Sequence, residues 1–114
     1  MSYQFTIIVP VYNEEENLKR VEQELTNYIK IASKKTKVLF VNDGSKDKSQ
    51  ELIEKICKKN PAFTFINFEK NCGLSAAITA GFKNVDTELV GYIDSDLQTA
   101  PEDFNLLLNE IGEF

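Results

Sequence analysis

No histidine occurs among the 114 residues. That removes both the commonest metal-ligating side chain and the usual general base near neutral pH. Cysteine is scarce: Cys57 and Cys72 form no CxxC pair, and no secretory signal precedes them, so reduced thiols in a cytoplasmic protein are expected. The opening MSYQFTIIVPVYNEEE has no basic n-region, and its apolar run ends at Asn13 and Glu14. Nothing in the sequence approaches the roughly 20 apolar residues that span a bilayer. Positive charge is also short, with 13 basic against 18 acidic residues and a net charge of -5. A duplex nucleic-acid binder needs a basic face and is disfavoured. A small phosphorylated ligand is not, because a divalent cation can supply the missing charge. There is no low-complexity tract, and 42% hydrophobic residues suffice for one globular domain over residues 1–114.

The apolar pattern alternates between two periods. Phe5 to Val9, Lys37 to Val41, Phe63 to Phe68 and Leu89 to Ile93 are short β-rich runs, nearly continuous in apolar character. Such runs suit strands of a parallel sheet covered on both faces. Between them Leu18, Val21, Leu25, Tyr28 and Ile29 make one helical stripe, and Leu52, Ile53, Ile56 and Cys57 a second. The Ala-rich segment from Leu74 to Phe82 predicts a third helix, and Phe104, Leu107, Leu108 and Ile111 a fourth. Asn13 with Glu16, Asp47 with Gln50 and Thr99 with Glu102 have capping-box spacing, the last with Pro101 in the first turn. The expected class is α/β, a three-layer Rossmann-like fold with a mostly parallel sheet. Right-handed crossovers place every helix start at the carboxyl ends of the strands, the edge where such sheets bind ligands.

The unusual residues fall on that edge. YIDSDLQTA puts Asp94 and Asp96 one residue apart after the fourth apolar run. Period-two geometry would aim both carboxylates to one side, a costly arrangement unless a cation or donors neutralise them. Magnesium or manganese, which take oxygen ligands, would do so, and Gln98 adds a neutral oxygen. On spacing alone, a strand end followed by a solvated acidic turn accounts for Asp94 and Asp96 equally well. VNDGS supplies Asp43 either to a base edge or ribose hydroxyl, or simply to an Asp-Gly turn. In VPVYNEEEN, Pro10 denies the ladder a donor and Tyr12 is placed to stack on a flat ring or to pack on the sheet edge. Glu14, Glu15 and Glu16 are expected at a helix N-terminus, where the dipole favours anions, which makes that helix start a poor phosphate cradle. EKNCG offers Lys70 to phosphate and Gly73 to close backbone approach. Ala76, Ala77 and Ala80 let the following helix lie close on the sheet, and Gly81 is read as packing or termination.

Taken in order, VPVYNE, VNDGS, KNCGLSAAITAGF and DSDLQTAPED resemble family 2 glycosyltransferases of the GT-A fold. The likeness is closest to the polyprenyl-phosphate branch that contains dolichol-phosphate mannosyltransferase, and it runs over essentially the whole chain. The resemblance implies that Pro10, Tyr12, Glu14 and Asp43 line a base and ribose pocket, with Lys70 as a phosphate contact. It implies that Asp94 and Asp96 are the DxD motif. Asp96 would bind Mg2+ or Mn2+ directly, Asp94 would share the metal or reach the ribose, and Gln98 would join the metal shell. One departure is Asn42, where the family usually has an acid before the aspartate. The implied reaction is transfer of a sugar from a UDP- or GDP-type donor, with inversion, to a polyprenyl phosphate or a growing cell-surface glycan. The likeness also implies an acceptor-binding half beyond Phe114, carrying any catalytic base, so the chain is expected to be the donor-binding part of a longer protein. Alone it is expected to show no transferase turnover and to self-associate into dimers or higher oligomers. The longer protein is expected at the cytoplasmic face of a membrane.

Two other enzyme classes fit less well. DSDLQT is a partial match to the DxDxT motif of haloacid-dehalogenase phosphatases, but it follows the fourth strand rather than the first and carries Gln98 at the threonine position. A dinucleotide-binding oxidoreductase needs a glycine fingerprint after the first strand, which VPVYNE lacks. A nucleotide-sugar-binding module without catalysis remains open from the sequence.

Overall fold

A computed structural model describes residues 3–93. Within them β1 (Phe5–Val11), α1 (Leu18–Ile31), β2 (Thr36–Asn42), α2 (Ser49–Lys59), β3 (Phe63–Asn67), α3 (Leu74–Lys83) and β4 (Leu89–Tyr92) alternate strictly. The expected fourth helix, with Thr99 and Glu102 at its start, lies outside the described residues. All pairings are parallel, in the order β3-β2-β1-β4. The chain therefore grows outward from β1 through β2 to β3, then returns across the sheet to lay β4 on the other side of β1.

That order explains the composition of β1. Its seven residues, FTIIVPV, are all buried, because the strand has a neighbour on either side and helices on both faces. Phe5, Ile7, Val9 and Val11 point to one face, where Leu18, Val21, Leu25 and Tyr28 of α1 and Ile53 and Ile56 of α2 cover them. Ile8 points to the other, into a smaller cluster with Leu39, Val41 and Ala77 of α3. Each fully buried side chain of this size contributes about 1.5–3 kcal/mol relative to exposure. The two-helix face thus carries most of the burial. The periodic stripes place α1 and α2 correctly. Asn60 adopts an extended conformation before Pro61, which ends α2.

Helix starts differ from expectation. Neither α1 nor α2 has a side-chain hydrogen bond from its N-cap residue. The chain makes a turn first, with the N–H groups of Asn17 and Leu18 both reaching the Glu14 carbonyl, and α1 begins only at Leu18. Its first turn holds no acidic residue, so Glu14, Glu15 and Glu16 precede the helix rather than open it. The physical reason is Asn13, whose left-handed φ of 52° turns the chain before a helix can start.

α3 packs differently from its partners. A Cβ on Gly81 would stand 2.8 Å from both Cδ1 and Cγ2 of Ile8, and the helix continues past it to Lys83. Gly81 is therefore a packing residue, not a terminator. Since Ile8 is fully buried and has little room to yield, Gly81→Val is expected to push α3 off the sheet. The variant should lose about 1–3 kcal/mol of stability in urea unfolding.

Candidate functional site

The strand order reverses between β1 and β4, and in open α/β sheets the carboxyl end of such a point is where ligands bind. At that place the ladder meets a residue that cannot donate. The Ile93 N–H donates to the Ile8 carbonyl at 3.1 Å, so Ile8 faces β4. The next residue facing β4 is Pro10, because Val11 faces β2 and accepts the Asp43 N–H at 2.8 Å. Pro10 has no N–H to give. A proline inside a central strand is thus tolerated beyond the last β1–β4 pairing among the described residues. Asp94 is the next residue in the chain after Ile93.

Two loops beside this point are laced together. The Asn13 N–H donates to Ser45 Oγ at 3.0 Å, the Glu14 N–H to Ser49 Oγ at 2.8 Å, and the Glu15 N–H to Asp47 Oδ2 at 3.2 Å. In return the Lys46 N–H donates to Asn13 Oδ1 at 2.8 Å. Asp47 also accepts the Ser49 N–H at 2.8 Å, an Asx turn leading into α2. Its pairing is therefore with Ser49 and Glu15 rather than with Gln50, whose amide donates to Glu54 instead. Tyr12, at 42% exposure, stands at the crevice with an uncovered ring. The Glu14 carboxylate accepts the Asn17 side-chain amide at 2.6 Å and is half-buried.

A third loop joins from β3. Asp43 is buried, and its carboxylate accepts the N–H groups of Cys72 at 2.7 Å and Gly73 at 2.9 Å and the Asn71 side-chain amide at 2.9 Å. Beside it Gly44 has φ 68°, and a Cβ there would overlap the backbone of Lys70 and Asn71. Only glycine fits that turn. Lys70 itself is exposed. Thus Pro10, Tyr12, Glu14, Asp43 and Lys70 all come to the carboxyl edge, on loops bonded to one another. Asp94, Asp96 and Gln98 lie outside the described residues. Among the described residues there is no group of three or more His, Cys, Asp or Glu residues that could hold a metal ion.

The bracing residues Asn13, Ser45, Asp47, Ser49 and Asn71 were not singled out for this role from the sequence. Asp47-Lys48-Ser49 is a legible Asx-turn signal, whereas the bonds between loops follow only from β1 and β2 being neighbours. An open groove of about 410 Å³ between α1 and α2, floored by Leu18, Leu52 and Ile56, lies among helix residues and not at this edge.

Residues 6–113 match the description of glycosyl transferase family 2. The chain belongs to this family. It is 39% identical over 115 residues to a dolichyl-phosphate beta-glucosyltransferase of Trichomonas vaginalis, covering 96% of this chain and 36% of the relative. It is 35% identical over 109 residues to an undecaprenyl-phosphate 4-deoxy-4-formamido-L-arabinose transferase of Salmonella choleraesuis, covering 95% and 33%. Residues 1–349 of TarS of S. aureus have a similar structure, with a TM-score of 0.75 and 25% identity over 96% of this chain and 32% of that one. A Pyrobaculum calidifontis mannosyltransferase, solved with GDP-Man and Mn2+, shares the fold at a TM-score of 0.71 and 21% identity over 94% and 32%. The chain spans about a third of the length of these proteins. The family and the α/β GT-A fold stand as the motifs imply. No helix of the described residues is long and apolar enough to cross a membrane.

Two outcomes follow from the local chemistry. Burial opposes ionisation of Asp47, but hydrogen bonds from the Ser49 hydroxyl and the N–H groups of Ser49 and Glu15 outweigh it and hold the carboxyl below its usual value. A lowered folded-state pKa gives stability that is complete above the unfolded value of about 3.9 and is lost as pH falls through the folded one. Acid unfolding followed by circular dichroism should therefore show a flatter acid limb for Asp47→Asn than for the parent. Burial, with the Glu54 carboxylate adding to it, pushes the Cys57 thiol up to about 11, while Cys72 is exposed on the third loop. A thiol reagent at pH 7.5 should label Cys72 first and Cys57 much more slowly, which mass spectrometry of the labelled peptides would read.

Proposed function

We propose that this chain is the donor-binding part of an enzyme that transfers a sugar from a nucleoside-diphosphate sugar to a polyprenyl phosphate. The observation that carries the reading is the β1/β4 switch point, where Pro10 has no N–H to give beyond the Ile93–Ile8 bond, in a chain of this family. Tyr12 offers a ring to a flat base there, and Glu14 an acceptor beside it. Lys70, on the neighbouring loop, offers an ammonium to phosphate oxygens.

The chain supplies little positive charge of its own to meet a diphosphate. In this reading Asp94, Asp96 and Gln98 hold a divalent cation, all three giving the hard oxygen ligands that Mg2+ or Mn2+ prefers. When bound, such an ion supplies Lewis-acid stabilisation of charge growing on the departing diphosphate. The ribose is the alternative partner for Asp94 in this assignment. The acceptor oxygen attacks the anomeric carbon as the bond to the nucleoside diphosphate breaks, with inversion. A phosphate oxygen is already ionised near neutral pH and needs no base to remove a proton. The relatives named for dolichyl and undecaprenyl phosphate support that acceptor class. A growing cell-surface glycan is the second acceptor, and it would require a carboxylate base. The whole protein then works at the cytoplasmic face of a membrane, where a lipid phosphate is presented.

Calorimetric titration of the chain with UDP, GDP and their sugars, with and without manganese, tests the reading. Binding of one nucleotide series is expected to tighten on adding manganese, and Asp96→Ala should remove that tightening. Absence of binding by every nucleotide, or tightening that survives in Asp96→Ala, would overturn it.

A further inference from the structure

Resting on that reading, we infer that Asn17 is a positioning residue: its side-chain amide holds Glu14 Oε2 and so orders the carboxylate for a hydrogen-bond donor of the nucleoside. Asn17 is the N-cap of α1. Asparagine is favoured at that position because its side-chain oxygen accepts an N–H of the first helical turn. In α1 no side-chain cap bond forms. The Asn17 amide donates back to Glu14 Oε2 instead, at 2.6 Å. The side chain is turned away from the helix start and toward a carboxylate at the ligand edge.

The main chain of Glu14 is held as well. Its N–H donates at 2.8 Å to the hydroxyl of Ser49, a fully buried residue. Its carbonyl accepts the N–H groups of Asn17 at 2.9 Å and Leu18 at 3.1 Å. Asn17 is itself tied into α1, since its carbonyl accepts the Val21 N–H at 2.9 Å. Glu14 is therefore fixed at its N–H, its carbonyl and one carboxylate oxygen. Glu15 and Glu16 make the contrast: among the described residues neither of their carboxylates takes a protein donor, although the Glu15 N–H is bonded to Asp47. A free glutamate side chain loses rotamer freedom when a ligand binds it, and one already tied loses less. Among the described residues the protein donor on this carboxylate sits on Oε2, which leaves Oε1 for a ligand. An acceptor-only group suits an O–H or N–H, here a ribose hydroxyl or a base N–H. A site ordered in this way discriminates against an analogue that lacks the donor.

The test uses Asn17→Ser, Glu14→Ala and the double variant. Serine is neutral and caps a helix about as well as asparagine, so Asn17→Ser removes the amide and spares the helix start. UDP is compared with its 2′-deoxy, 3′-deoxy and N3-methyl analogues, and GDP with its 2′-deoxy, 3′-deoxy and N1-methyl analogues, each lacking one nucleoside donor. The parent is expected to bind one of these analogues more weakly than the complete nucleotide, a deoxy analogue if the partner is the ribose and the methyl analogue if it is the base. Glu14→Ala should abolish that preference. Asn17→Ser should shrink the same preference, roughly tenfold, and the double variant should lose no more than Glu14→Ala alone. A purely structural role would weaken every ligand by one factor and leave the ratios intact, and that result would overturn the inference. So would an intact preference in Glu14→Ala, which would leave nucleotide binding itself standing. Nuclear magnetic resonance of the ligand-free chain checks the bond independently. One side-chain amide proton of Asn17 should resonate apart from those of exposed asparagines and rejoin them in Glu14→Ala. An Asn17 amide signal that does not respond to Glu14→Ala would sink the inference whatever the nucleotides do. A parent chain that binds neither UDP nor GDP would sink the proposed function, and with it the ligand assigned to Glu14, while the resonance shift would still report the bond.

Discussion

Everything at the carboxyl edge depends on β1 pairing in parallel with β2 on one side and β4 on the other. Parallel neighbours bring their carboxyl ends to the same edge, so the loops after β1 and β2 are held side by side by the strands that precede them. Because β4 comes from the far side of the sheet, the strand order reverses between β1 and β4. No local sequence preference makes that reversal. It follows from the return of the chain through α3, which must lie on the face opposite α1 and α2 for the crossover to stay right-handed. The close seat of α3, made by Ala77 and Gly81 over Ile8, is the packing counterpart of that return.

The loops hold their shape by hydrogen bonds more than by apolar packing. Asn13, Ser45, Asp47 and Ser49 are small polar side chains that satisfy backbone N–H groups on the adjacent loop. A net hydrogen bond is worth about 0.5–1.5 kcal/mol, so no single one of these fixes the edge. Their value lies in number and in crossing between loops, since displacing one loop breaks several at once. Asp43 differs in degree. Bonds to a charged group contribute about 1.5–3 kcal/mol each, and three donors converge on it. A braced shelf results, on which Tyr12 and Lys70 are among the exposed side chains.

The elements were legible because their signals are local. The four apolar runs and three helical patterns between residues 5 and 93 needed only period two, period 3.6 and Pro61 to be placed, and the strand ends shifted by a residue or two. What failed was the capping at Asn13 and Asp47, for a nonlocal reason. Each side chain had a bonding partner on the neighbouring loop that no spacing within its own segment announces. Asp43 shows the same limit. VNDGS displays an acceptor next to a turn, and both the base-binding and the turn interpretations come from the residue type. The third outcome, a carboxylate consumed by a loop some thirty residues further along, appears only when β2 and β3 are seen to be neighbours.

That distinction bears on how a family motif is carried from one chain to another. A motif fixes a residue type at a strand end, and the strand end fixes a region of the ligand edge, but neither fixes what the side chain faces. Pro10 illustrates the stronger case. Its lack of an N–H acts on the ladder whatever ligand is bound, and its position opposite the end of β4 is set by register alone. Asp43 illustrates the weaker case, since an acceptor can serve protein or ligand donors equally well. When the protein donors come from backbone already rigid, accepting them costs little ordering entropy. A base edge must offset its own loss of freedom and of hydration to displace them. A carboxylate with three bonds to protein donors thus shapes the edge, whatever else it offers to a ligand.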